Sequence, residues 1–268
     1  MAAPDTTRPA DPGRPPLAGR HAVVTGGARG IGRAIAVALA AQGARLTLVG
    51  RDAAALEAAC AALGGEAEYE IADVADAAQV GAAFTRLAAR GPATLLVNNA
   101  GAAESAPFHR TDAALWQRML DVNLTGTFHV IQAALPAMLQ AGAGGRIVNV
   151  ASTAGQVGYP YVAAYCAAKH GVIGLTRALA LELAGKGITV NAVCPGYTDT
   201  EIVRASIANI VARTGRNEAE ALAALVQHNP QRRLVRPEEV ANAVLWLCLP
   251  GSEAVTGQSL SVSGGEVT

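Results

Sequence analysis

The sequence predicts an α/β chain built on a doubly wound parallel sheet, and three observations carry that prediction. Short β-branched runs alternate with Ala-rich helical stretches along most of the chain, the pattern that repeated βαβ units produce. The first run ends in a glycine cluster, Gly26-Gly27-Ala28-Arg29-Gly30-Ile31-Gly32, that opens a helix. Later runs such as Thr94-Leu95-Leu96-Val97 are almost wholly apolar, as strands covered on both faces must be. With 268 residues, 51% of them hydrophobic, a single domain has ample material for one large core.

Taken in order, residues 1–19 carry Pro4, Pro9, Pro12, Pro15 and Pro16 among small and charged residues and predict a disordered tail ahead of a domain spanning 20–268. His21-Ala22-Val23-Val24 is the first strand, and the helix after the glycine cluster runs to Gln42-Gly43. Leu46–Val49 is the second strand, and Asp52 stands where an N-cap of the next helix belongs. Glu66–Ile71 is the third strand, ending near Asp73, and a helix from about Asp76 to Arg90 leads to the fourth strand at Thr94–Val97. From Thr111 to Leu139 the apolar spacing of Leu115, Trp116, Met119, Val122, Phe128 and Ile131 predicts one long helix, with Asn123 an unfavourable residue in its middle. Arg146–Val150 and Gly187–Val193 are further strands, with a helix expected from Pro160 onward between them. Two short amphipathic helices between Thr200 and Pro230 interrupt the alternation and predict a small helical lid over about 199–232. Pro237-Glu238-Glu239 opens a helix reaching Cys248, and Gln258–Val262 is the last strand.

Composition narrows the function classes. Formal net charge is zero, so nothing marks the chain for nucleic acid or an anionic membrane, and no stretch stays apolar long enough for a signal peptide or a membrane span. The expectation is a soluble cytoplasmic protein acting on small molecules. Cys60, Cys166, Cys194 and Cys248 are far apart, and the five histidines are scattered, so no spacing predicts a metal site.

Chemistry concentrates between Ser152 and Lys169. Tyr165 and Lys169 are four apart in predicted helix and share a face. A fixed ammonium beside a phenol stabilises the phenolate and predicts a lowered pKa, which makes Tyr165 a general acid/base; a packed ring beside a solvated charge is the alternative. Among 21 basic residues only Lys169 and Lys186 are lysines, so a lysine here points to a need for a compact point charge. Ser152, just past a strand's C-terminal end, can donate to a substrate carbonyl oxygen or serve as a turn former.

These parts form a set. Gly26-x3-Gly30-x-Gly32, Asn98-Asn99-Ala100-Gly101, Ser152 thirteen residues before Tyr165, and Tyr165-x3-Lys169 together resemble the short-chain dehydrogenase/reductase family over about residues 20 to 265. The resemblance implies a Rossmann fold, a nicotinamide dinucleotide cofactor, and catalysis by Asn123, Ser152, Tyr165 and Lys169, with Asn123 holding a water behind the lysine. It places the cofactor against Gly26, Ala28, Arg29, Gly30, Ile31, Gly32, Arg51, Asp73, Val74, Asn99, Ala100, Gly101, Tyr165, Lys169, Pro195, Gly196, Thr198 and Thr200. The position where an acid would select NAD(H) falls on Gly50, so NADP(H) is favoured with Arg29 and Arg51 as a phosphate clamp; Asp52 keeps NAD(H) open. A homotetramer is the family expectation.

Residues 146–165 and the turn after Cys194 look most like β-ketoacyl and polyketide ketoreductases. The expected reaction is NADPH-dependent reduction of a 3-oxoacyl thioester or similar ketone, with Gln156, Tyr159 and Tyr161 facing substrate. Arg204, Arg213, Arg216, Arg232 and Arg233 offer contacts for coenzyme A or a carrier-protein arm, or are solvated lid charges. The rivals are an NAD-dependent secondary-alcohol dehydrogenase and a non-catalytic cofactor-sensing protein on the same fold.

Overall fold

The computed structural model describes residues 14–65, 67–142 and 144–268. Seven parallel strands form one sheet in the order β3-β2-β1-β4-β5-β6-β7. They are β1 (His21–Thr25), β2 (Arg45–Gly50), β3 (Glu68–Ile71), β4 (Leu95–Asn98), β5 (Arg146–Val150), β6 (Thr189–Pro195) and β7 (Ser259–Val262). The order reverses between β1 and β4, and ligands of open α/β sheets bind outside the strand carboxyl ends at such a switch.

Successive strand residues point to opposite faces, so each buried strand feeds two cores. Ala22, Val24, Leu46, Leu48, Leu95 and Val97 pack beneath α1 (Gly30–Ala41), α2 (Ala53–Leu63) and the helix over Pro237–Cys248. Val23, Val49, Leu96 and Ile147 face the other way, onto α3 (Ala77–Ala88) and the helices over Gly126–Ala141 and Ala163–Leu183. Each fully buried Val or Leu contributes about 1.5–3 kcal/mol relative to exposure, which is why these runs carry no alternation of polar residues.

Four boundaries differ from the sequence expectation. Residues 1–13 of the expected tail lie outside the described residues, but residues 14–19 form a turn, and Leu17 is fully buried in the core with its N–H donating to the Gln42 carbonyl at 2.9 Å. The packed domain therefore starts before Arg20. The third strand begins at Glu68; Glu66 lies outside the described residues. The long helix expected over 111–139 is three segments: α4 (Ala113–Leu120), a π-helical turn at Asp121–Thr125, and α5 (Gly126–Ala141). Asn123 lies in that π turn, which resolves its mid-helix oddity, because widened turns free backbone groups for side-chain partners. The helix expected from Pro160 starts only at Ala163, as α6 (Ala163–Leu183), since Tyr161 takes φ of 68° outside the helical region.

Two helices occupy the interruption, α7 (Glu201–Thr214) and α8 (Glu218–Val226), the second opened by a capping box between Asn217 and Glu220. The last helix is α9 (Pro237–Cys248). No helix among the described residues is long and apolar enough to cross a membrane.

His21 makes folding sensitive to acid. Its ring is buried, with Nε2 2.9 Å from the Thr47 hydroxyl, and burial, helped by the nearby Arg45 charge, pushes its pKa down to about 4. The folded state holds the imidazole neutral, whereas the unfolded chain takes up a proton below about 6.5. Stability contributed by this group is therefore complete above about pH 6.5 and is lost as pH falls toward 4, by about 3 kcal/mol at most. Melting temperature is expected to fall more steeply over this interval for the native chain than for His21→Gln; parallel curves would assign the acid sensitivity elsewhere.

Candidate active site

The carboxyl ends of β1, β4, β5 and β6 bring the predicted residues to one edge. At β1, the Thr25 hydroxyl accepts from the Asn99 and Ala100 N–H groups, both at 3.0 Å. The Asn99 amide donates back to the carbonyls of Thr25 at 3.1 Å and Gly26 at 3.2 Å. Strand ends 74 residues apart in sequence are thus locked together. Gly26 has φ of +64°, and a Cβ on Gly32 would lie 2.1 Å from the Gly26 oxygen, so no side chain fits there. Helix α1 follows with Arg29 at its N-cap, no side chain capping its first turn and no acid within it. The backbone N–H groups around Gly30, Ile31 and Gly32 remain available to an anion, with Ala28 in the turn before them. This tight, uncapped cradle fits a dinucleotide pyrophosphate.

At the adenosine side, β2 ends on Gly50, whose Cβ position meets only Leu56 at 3.6 Å or beyond. Asp52 caps α2 by accepting from the Ala55 N–H at 3.0 Å, as expected, and also pairs with Arg29. Arg29 lies 3.6 Å from Glu201 on α7, and Arg51 lies 3.5 Å from Asp73. Both arginines expected to clamp a phosphate are thus already beside carboxylates. Asp73 also caps its own turn, accepting from the Ala75 N–H at 3.0 Å, and Val74 is buried against Gly126.

Ser152 follows β5, its hydroxyl accepting from the Ala154 N–H at 3.1 Å, and Tyr165 rises from the first turn of α6. Lys169 is buried, its Nζ donating to the Val150 carbonyl at 2.9 Å and standing 5.7 Å from the Tyr165 ring centre. The expectation of a lowered tyrosine pKa is corrected in the protein alone. Burial raises Tyr165 to about 12 against the opposing influence of the Ser152 hydroxyl, and burial lowers Lys169 to about 8. Desolvation penalises the charged form of each group and decides both directions.

Asn123 is fully buried. Its amide donates to the carbonyls of Ala102 at 2.9 Å and Met119 at 3.0 Å, and its oxygen accepts from the Ala102 N–H at 3.2 Å. It therefore fastens the π turn to the loop after β4. A Cβ on Gly101 would lie 2.8 Å from the Asn123 oxygen and 3.7 Å from Lys169 Nζ, so the three share one narrow space.

Past β6, Pro195 pairs with Val262 on β7, the Gly196 N–H donates to the Val262 carbonyl at 3.1 Å, and the buried Thr198 donates to the Gly196 carbonyl at 3.0 Å. Thr200, at the N-cap of α7, packs against Gly30. The three expected substrate residues separate. Gln156 binds β7 at both ends of its amide, through the Ser259 carbonyl at 3.3 Å and the Ser261 hydroxyl at 2.9 Å. Tyr161 is 64% exposed. Tyr159 alone turns toward the site, its hydroxyl donating to Glu266 Oε1 at 2.7 Å and accepting from the Thr153 hydroxyl at 3.0 Å. Sequence reasoning missed Thr153, Tyr197 and Glu266 around it. It also missed the buried chain Asn98–Asn149–Thr176 under the site, bonded at 2.8 and 2.9 Å, whose one signal was asparagines inside apolar strands.

A model of the short chain dehydrogenase family matches residues 20–211. The chain belongs to the short-chain dehydrogenase/reductase family. The 2-(S)-hydroxypropyl-CoM dehydrogenase 3 of Xanthobacter autotrophicus is 41% identical over 247 residues, covering 90% of this chain and 94% of the relative. The D-beta-hydroxybutyrate dehydrogenase of Rhizobium meliloti is 36% identical over 253 residues, covering 92% of this chain and 98% of the relative. Among solved structures, a variant of the actinorhodin polyketide ketoreductase with NADPH superposes with a TM-score of 0.88 at 40% identity, covering 92% of this chain and 97% of that one. This family member is an NAD(P)-dependent oxidoreductase acting on CH–OH and C=O groups.

Proposed function

We propose that the enzyme reduces a ketone with NADPH, with a 3-oxoacyl thioester or similar ketone as substrate. The observation that carries this reading is the convergence of Ser152, Tyr165 and Lys169 beside an uncapped glycine cradle. A bound nicotinamide dinucleotide supplies the hydride. Ser152 donates to the substrate oxygen and holds it beside the phenol. Tyr165, held protonated at neutral pH by burial, delivers the proton to that oxygen as charge develops. Lys169, with one donor engaged by Val150, turns the others toward a ribose and the phenol. Asn123 shapes the space behind the lysine through its bonds to Ala102 and serves the relay there.

NADPH preference is supported by Gly50, which offers no acid to a 2′-hydroxyl, and by Arg29 and Arg51 at the same edge. A second reading, NAD-dependent oxidation of a secondary alcohol, is favoured by Asp52 beside Arg29. The thioester arm draws less support than the arginine bias promised. Arg204 is paired with Asp199 at 3.0 Å, Arg233 with Glu239 at 2.7 Å, and Arg232 bonds the Gln227 carbonyl, while the Arg213 side chain lies outside the described ones. A homotetramer is supported by half-exposed Trp246 on α9 and Leu260 on β7.

The test compares kcat/KM for acetoacetyl-CoA and simple ketones with each cofactor. NADPH is expected to win by about tenfold or more, and Arg29→Ala to remove most of that margin, since a charge-assisted phosphate contact is worth about 1.5–3 kcal/mol. A native preference for NADH would establish the second reading, and equal rates on simple ketones would remove the thioester.

A further inference from the structure

Beyond β7 the chain turns back on itself through Ser263-Gly264-Gly265-Glu266. Gly264 and Gly265 take φ of +66° and +92°, conformations that side-chain-bearing residues rarely adopt. A Cβ on Gly264 would strike the Asn229 amide at 2.3 Å, and one on Gly265 would meet Pro230 at 3.2 Å, so the turn is fitted against the base of the α7–α8 insertion. The result returns a carboxylate to the active edge. Glu266 Oε1 accepts the Tyr159 hydroxyl at 2.7 Å, and Oε2 lies 2.9 Å from where a Cβ on Gly196 would stand. Among the described residues, no donor or cation is bonded to Oε2.

The carboxylate is close to the chemistry. Tyr159 is bonded to Thr153, the residue after Ser152, and its ring meets Tyr197 edge-on at 6.3 Å. Tyr159, Tyr197 and Glu266 thus form one cluster beside Thr153, next in the chain to Ser152, and Gly196, at the carboxyl end of β6.

We propose that Glu266, oriented by Tyr159, is a specificity-determining residue that admits uncharged substrates and rejects those carrying a carboxylate next to the reacting carbonyl group. Its charge repels a second carboxylate across the site and leaves a neutral group there undisturbed. This rests on the ketone-reduction reading above and narrows it to ketones whose acid is masked, as in a thioester or ester.

The experiment measures kcat/KM for acetoacetate and methyl acetoacetate, which differ in one charge. The native enzyme is expected to favour the ester by about 30-fold or more, mainly through KM, and Glu266→Gln to shrink that ratio to about threefold, because glutamine keeps an acceptor for Tyr159 without the charge. Ester turnover should be nearly unchanged in the variant, which a merely structural role would not predict. A native enzyme that takes both substrates equally overturns the proposal whether or not the variant folds, as does an unchanged ratio in the variant. Absence of turnover on both substrates with either cofactor overturns the ketone-reduction reading itself.

Discussion

Tyr165→Phe is expected to lower kcat by about a thousandfold while leaving NADPH affinity within about twofold, the size of loss general acid/base groups show. The substitution removes one oxygen from a half-buried ring beside Lys169, so the pocket keeps its shape and loses the proton donor proposed above. Raised to about 12 by burial, the phenol is fully protonated at neutral pH, the form a ketone reduction consumes. Alcohol oxidation needs the phenolate instead, so its rate in the native enzyme should climb with pH well above 7 while reduction stays level. Fluorescence titration of NADPH alongside steady-state rates separates the two effects. Native-like turnover by the variant would show that another group moves the proton.

Lys169→Arg is expected to cost at least about a hundredfold in kcat/KM and, unlike the tyrosine variant, to weaken the cofactor as well. In a chain that makes nearly every other positive charge with arginine, this side chain is buried against Val150 and within 3.7 Å of a Cβ position on Gly101. A planar guanidinium needs more width than that space has, and overpacking forces backbone shifts costing about 1–3 kcal/mol. The ammonium also gives up its charge more readily, having been lowered to about 8, whereas arginine stays charged. Unchanged NADPH affinity in this variant would remove the ribose contact from the lysine's duties.

The parts of the site legible in the sequence are those made by neighbours in the chain. The turn from Gly26 to Gly32, the Asp52 cap and the one helix that carries Tyr165 and Lys169 each depend on fewer than a dozen consecutive residues. Where periodicity alone was available it failed at Asn123, because a π turn preserves the apolar spacing on either side and its inserted geometry leaves no mark in the pattern. Gln156 and Tyr161 looked equivalent to Tyr159 as polar or aromatic residues in one loop. They were separated only by β7, which binds the first, and by a left-handed backbone that leaves the second in solvent.

By itself, then, the chain's order of apolar runs, glycines and caps determined a parallel α/β sheet and the chemistry at its carboxyl edge, since local propensity and burial on both faces act over short spans. The tertiary structure decided what that edge is electrically. Desolvation set Tyr165 and Lys169 against the shifts their proximity suggested, and carboxylates came to stand beside Arg29 and Arg51. It also brought Glu266 to Tyr159 across 107 residues. Solvent exclusion and long-range charge pairing are properties of the packed volume, and no interval of sequence contains them.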